Sequence, residues 1–162
     1  MYKIKLSILL LISLFIFSCT NKQIDTPNPK YSLASIGGGF NGLLLKNYLM
    51  ASLKNLDIYD PNSNYEIKAS ISHDSNLFIT NIDNTSDREK ISTNLSIQIN
   101  NTFSECRIMI DEFNVSQFFI YAPSNKFLSN ETALREIKKN NTESTVKKFI
   151  YKLRNISNEC DD

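Results

Sequence analysis

Between Ile91 and Ile99 the chain alternates with period two. Ile91, Leu95, Ile97 and Ile99 fall on one side, and Ser92, Asn94, Ser96 and Gln98 on the other. Successive side chains of a strand point to opposite faces, so the pattern predicts a strand with one dry and one wet face. Such a strand cannot stand alone. It needs neighbours to complete its hydrogen bonds and a second layer to cover its apolar side.

The rest of the chain supplies both. Tyr65, Ile67, Ala69 and Ile71 alternate with Glu66, Lys68, Ser70 and Ser72, which reads as another strand; Leu77 to Ile82 follows as a separate short apolar run. Asp83 to Asp87 and Asn100-Asn101 read as turns. Cys106, Ile108 and Ile110 alternate with Arg107, Met109 and Asp111 in a strand that runs on toward Ile120. A short strand from Tyr31 to Ile36 comes first and is broken by Gly37-Gly38-Gly39. Two stretches have helical spacing instead. The first, from Asn41 to Leu56, carries Leu43, Leu44, Tyr48 and Ala51. The second begins after Pro123, carries Ala133, Ile137, Val146, Phe149 and Leu153, and ends near Ser157, with Asn140-Asn141 as its weak point. This order predicts an α+β fold: a two-layer sandwich, two helices packed on one face of a roughly four-stranded, mainly antiparallel sheet. The single domain spans residues 31–157, and the polar tail 158–162 is expected to fray.

The start of the chain is of another kind. Lys3 and Lys5 precede an apolar run of 12 residues, Leu6 to Phe17, broken only by Ser7 and Ser13. A membrane-spanning helix needs about 20 residues, whereas a secretory h-region has about 7–15. The run ends in Ile16-Phe17-Ser18-Cys19, a small residue followed by cysteine, which resembles the bacterial lipobox. Residues 1–18 are therefore read as a lipoprotein signal, Cys19 as the lipid-attachment site, and residues 19–30, with Pro27 and Pro29, as a flexible tether. Thr20 is not the aspartate that resembles an inner-membrane retention signal, which favours the outer membrane.

Removing residues 1–18 from the 162 leaves 144, enough to bury one core. The signal holds two of the 18 Lys+Arg and none of the 17 Asp+Glu, so the mature chain carries 16 cations against 17 anions. That balance argues against a nucleic-acid partner. An oxidising compartment permits a Cys106–Cys160 bridge. One cysteine sits in a strand and the other in a polar tail, however, so two free thiols are expected.

Several residues invite a chemical reading. Gly37-x-Gly39-x-x-Gly42 matches a dinucleotide fingerprint, with Asp57 lying 20 residues after Gly37. It lacks the following buried parallel strand that a βαβ unit needs, and a flexible turn is preferred. His73 is the only histidine, and it stands beside Asp74 at the end of its strand. Without a placed nucleophile it reads as a solvated histidine. Asp111 and Glu112, as strand neighbours, point to opposite faces and cannot share a proton; they read as solvated. No pair of histidines or cysteines has metal-ligand spacing. No catalytic residue, metal or cofactor is expected, and the chain is read as not an enzyme. Lys138, Lys139, Lys147, Lys148, Lys152 and Arg154 read first as the wet face of the last helix, and second as contacts to anionic lipid. Phe118-Phe119-Ile120-Tyr121 is either a core strand end or a partner-facing patch.

The order of segments resembles the LPS-assembly lipoprotein family (LptE-like), in its alphaproteobacterial branch. The resemblance runs from Tyr31 to Ser157. It rests on Tyr48-x-x-Ala51-x-Leu53, Tyr65-x-Ile67-x-Ala69-x-Ile71, Arg88-x-x-Ile91, Phe119-x-Tyr121-Ala122, Thr132-Ala133-Leu134-Arg135 and Ile150-x-x-Leu153. The chain departs from the family just after the cysteine, where Thr20-Asn21-Lys22 replaces the usual Gly-Phe-x-Pro-Leu-Tyr. The resemblance implies a lipid-anchored protein on the periplasmic side of the outer membrane. Such a protein plugs and helps assemble a large β-barrel LPS-assembly partner (LptD-like) and helps deliver lipopolysaccharide to the cell surface. It places the lipopolysaccharide contact at Arg88 and Lys90. Two alternatives stay open: an auxiliary lipoprotein of another envelope lipid-transport system, and an envelope hydrolase using His73.

Overall fold

The computed structural model describes residues 29–79, 87–120 and 127–156, together with Cys160. Cys19, the signal segment, most of the tether and Tyr121 lie outside the described residues. The elements are β1 (Tyr31–Gly37), α1 (Gly39–Asn55), β2 (Tyr65–Ile79), β3 (Asp87–Asn101), β4 (Cys106–Ile120) and α2 (Phe127–Leu153). The four strands form one sheet in the order β1-β2-β3-β4. β1 runs parallel to β2, and the other two pairs are antiparallel. The architecture is thus the α+β arrangement read from the pattern, with a mixed sheet.

The alternation of β3 decides where the core lies. Ile91, Leu95, Ile97 and Ile99 are all buried, and Thr93 stands in the same row. Leu45, Leu49 and Leu53 of α1 and Val146, Phe149 and Leu153 of α2 cover that row. These residues recur every three or four positions, which puts them on one face of each helix. The Phe149 ring meets Phe113 of β4 edge-on, with centroids 6.0 Å apart.

Four local expectations are corrected. β2 is one 15-residue strand, not a strand followed by a separate run. Its polar middle, Ser72 to Asn76, continues the ladder with β3 without a shift in register, because backbone pairing needs no apolar side chain. In β4 the register shifts opposite Ile99/Asn100, so that Met109 faces Ile99 and Arg107 faces Asn100. The extra residue, Ile108, is a bulge that lets Ile108 and Met109 bury in succession, and it turns Ile110 outward, 58% exposed. Asn141 is no weak point of α2. It is fully buried and donates from Nδ2 to the Ile91 carbonyl at 3.2 Å, tying the helix to the sheet. Finally, Cys106 and Cys160 are joined by a disulfide, with Cα atoms 5.7 Å apart, so Cys160 is fixed to the start of β4.

The glycine motif also changes meaning. β1, α1 and β2 do form a βαβ unit with a parallel strand pair, which the sequence reading did not expect. The glycines nevertheless serve packing. Gly38 has φ 112, and a Cβ there would meet the Ile71 carbonyl oxygen at 2.6 Å. A Cβ on Gly42 would lie 2.7 Å from the Gly37 carbonyl oxygen, so the start of α1 closes directly onto β1. Asp57 follows the C-terminus of α1, about 25 Å from its N-terminus for a 17-residue helix. A ribose-binding carboxylate would have to lie near that N-terminus.

Candidate functional site: a cationic and apolar rim on an open polar sheet face

Among the described residues the helices cover one face of the sheet only. On the other face β2 presents Lys68, Ser70, Ser72, Asp74 and Asn76, opposite Gln98, Ser96, Asn94, Ser92 and Lys90 of β3. β4 adds Glu112, Asn114 and Ser116 opposite Ser96, Asn94 and Ser92. Side-chain bonds cross this face: the Asn114 amide donates to Asn94 Oδ1, and Asn94 Nδ2 donates to Asp74 Oδ2 at 3.1 Å. The result is a three-stranded surface of hydroxyls and amides, able to donate and accept along its length.

Its rim differs. Arg88 lies opposite Ile120, and Lys90 opposite Phe118. Directly opposed residues of antiparallel strands share a face. Arg88 and Lys90 are two residues apart, about 7 Å along the strand, and so also share it. Phe118 is 63% and Ile120 57% exposed. The two predicted contact residues are thus brought together with two apolar side chains from the next strand. Of the aromatic cluster, Phe118 and Ile120 belong to this outer patch, while Phe119 lies opposite Glu89 on the helix side and is half-buried. The sequence singled out the cluster but not its pairing with Arg88 and Lys90, because that depends on the β3–β4 register.

His73 is elsewhere, and differently placed than expected. It stands mid-strand on the helix-facing side, opposite Thr93, with Nδ1 2.7 Å from Thr93 Oγ1. Its Nε2 is buried without a hydrogen-bond partner. Burial lowers its pKa from the ordinary 6.5, and the nearby Lys138 charge lowers it further against the opposing pull of Asp74. Asp74 projects from the outer face, so the two do not form a dyad.

Asp111 is not simply solvated either. It pairs with Lys152, whose hydrogen bond is the main cause holding the carboxyl below its ordinary 3.8. Three more of the helix cations are likewise engaged within the fold. Lys147 pairs with Glu143 at 2.6 Å and Lys139 with Glu136 at 3.5 Å, and Lys148 Nζ donates to the Asn114 carbonyl at 2.8 Å. This supports the solvated-face reading of α2 over the lipid-contact one. Among the described residues no group of acidic, histidine and cysteine side chains could hold a metal ion, and no helix is long and apolar enough to cross a membrane.

Fold and surface together define a two-layer α+β domain with one helix-covered face and one open polar face. No protein-family model matches the sequence, and no curated protein matches it. Solved structures do share the fold. The rare lipoprotein B of Shewanella oneidensis superposes with a TM-score of 0.62 at 8% identity, over 78% of this chain and 94% of that one. A minor lipoprotein from Acinetobacter baumannii superposes with a TM-score of 0.57 at 11% identity, over 78% of this chain and 90% of that one. At such identities the likeness is one of fold.

Proposed function

We propose that this chain is an outer-membrane lipoprotein, anchored through acylated Cys19 on the periplasmic side, that plugs and helps assemble a β-barrel translocon delivering lipopolysaccharide to the cell surface. The rim carries the reading: Arg88 and Lys90 stand beside Phe118 and Ile120 at the edge of an otherwise polar face. Lipopolysaccharide is an anionic amphiphile. Its phosphates suit a guanidinium, which binds them bidentately, and an ammonium, and its acyl chains suit the two apolar side chains. The interior of a large membrane barrel is polar, and the hydroxyl and amide surface beyond the rim can bond to it. The lipobox at Cys19 and the fold shared with two bacterial lipoproteins support the envelope setting. In this reading the chain makes and breaks no bond.

The test is purification of the tagged protein from detergent-solubilised outer membrane. A large barrel protein recovered in stoichiometric amount is the expected outcome. Recovery of the chain without a barrel rejects the plug. Recovery with components of another lipid transporter favours the auxiliary reading, which an anionic-lipid rim would also serve.

A further inference from the structure

At the end of the domain opposite the rim, where the tether enters, lies a cavity of about 320 Å³. Its walls are Leu56 and Ile58 after α1, Tyr31 at the start of β1, Leu153 and Ile156 at the end of α2, and Arg154. Pro29 completes it. The side chains of the walls are apolar apart from Tyr31 and Arg154, although polar atoms make up nearly half of the lining surface. The N–H of Tyr31 donates to the Ile58 carbonyl at 2.8 Å, that of Ile58 to Leu53 at 3.0 Å, and that of Arg154 to Ile150 at 3.3 Å. Proline has no N–H. Tyr31 remains a neutral phenol, its pKa pushed up to about 12 by burial first and by Tyr65 second. The one charge in the walls is the exposed guanidinium of Arg154, for which the described residues provide no ion-pair partner.

We propose that this cavity binds a single acyl chain bearing an anionic head group, the chain against Leu56, Ile58, Leu153 and Ile156 and the head at Arg154. Its volume is at the low end of small-ligand pockets, about 300–1,000 Å³, which fits one chain and not a many-chained lipid. The site is separate from the rim: Arg88 and Asn101, at the two ends of β3, stand about 43 Å apart at about 3.3 Å per residue. The acyl chain has two sources. One is a lipid of the surrounding membrane. The other, which rests on the lipoprotein reading, is the acyl group of Cys19. It lies ten positions before Pro29, a reach of up to about 35 Å.

The test is calorimetric titration of dodecanoate into the secreted full chain carrying Cys19→Ser. Saturable binding of one molecule is expected. Decanoate should bind about fifteenfold more weakly, since two methylenes are lost at about fourfold each. Arg154→Gln should weaken dodecanoate about two- to fivefold, as for an exposed ion pair, and erase the preference for dodecanoate over dodecyltrimethylammonium. Ile156→Trp, with an unchanged melting curve, should fill the site and abolish binding. No saturable binding to the Cys19→Ser chain overturns the proposal, as does binding that survives Ile156→Trp. Comparing the acylated chain in bilayer nanodiscs with the Cys19→Ser chain mixed with the same nanodiscs separates the sources: loss of dodecanoate binding in the acylated chain alone assigns the site to the Cys19 acyl group, and equal binding in the two assigns it to an external lipid. The titration does not depend on a barrel partner, so its failure and that of the plug reading are distinguishable.

Discussion

His73 and Asn141 carry the least legible part of the core. Both lie between sheet and helices, and each has a buried atom without a hydrogen-bond partner, His73 Nε2 and Asn141 Oδ1. The row Ile67, Ala69, Ile71 extends to His73 by the same period-two rule that reveals the strand. From sequence the strand ends at Ser72, seven residues before its actual end at Ile79, because Ser72 to Asn76 is polar. Asn141 is harder to see, since an asparagine in a polar stretch of helix gives no sign that it meets a strand carbonyl. The histidine has a measurable consequence. Its folded-state pKa lies below 6.5, so below about pH 6.5 the unfolded chain binds a proton that the folded chain does not. Stability from this group is complete above that pH and is lost as pH falls toward the folded pKa. The melting temperature should therefore decline as the pH is lowered from about 6.5, and the decline should flatten in His73→Gln, whose amide can still bond Thr93. Asp111, lowered from 3.8, acts only in a more acid window, in which its stability is lost as pH falls below about 3.8. A glutamine variant that keeps the full slope between the two windows would exonerate the histidine.

Elements were more legible than the ties between them. Both helices and β3 follow from periodicity, because burial on one face imposes it, and β4 follows from it except at the Ile108 bulge. The parallel pairing of β1 with β2 and the disulfide do not follow, because both join segments far apart in sequence. Cys160 lies in a polar stretch that gives no hint of return, yet it is bonded to Cys106, 54 residues earlier. The bond ties Cys160 to the start of β4. Closing a loop of that size in the unfolded chain is worth about 2–4 kcal/mol in typical cases. Reduction, or Cys160→Ser, should lower the unfolding free energy by about that amount in denaturant titrations, without changing the helix and strand content seen by circular dichroism. Identical midpoints with and without reductant would show that the bridge constrains little.

At the scale of the whole molecule, the two ends of the sandwich differ. One end is closed by the disulfide and by the strand and helix ends around the cavity. At the other, α1 begins at the level of Ile71, so that the strands beyond it are less covered. Leu77, Phe118, Ile120, Phe127 and Leu128 are all more than half exposed there. The open sheet face joins the two ends. If that face meets a barrel wall while the rim meets lipopolysaccharide, the two contacts use different residues and can be separated. Arg88→Glu with Lys90→Glu reverses two cations on an outward face, where the core is untouched, and should leave the melting temperature within about 1 °C or so, as surface changes usually do. It should leave barrel recovery intact while weakening lipopolysaccharide binding about fivefold per residue, the scale of about 1 kcal/mol for a cation at an anionic lipid surface. Ser72→Tyr with Ser116→Tyr instead raises two large rings from the middle of the polar face. It should lower barrel recovery and leave lipopolysaccharide binding to the isolated protein unchanged. Loss of both properties in both variants would mean that rim and face are one contact, and the division of labour drawn here would fall.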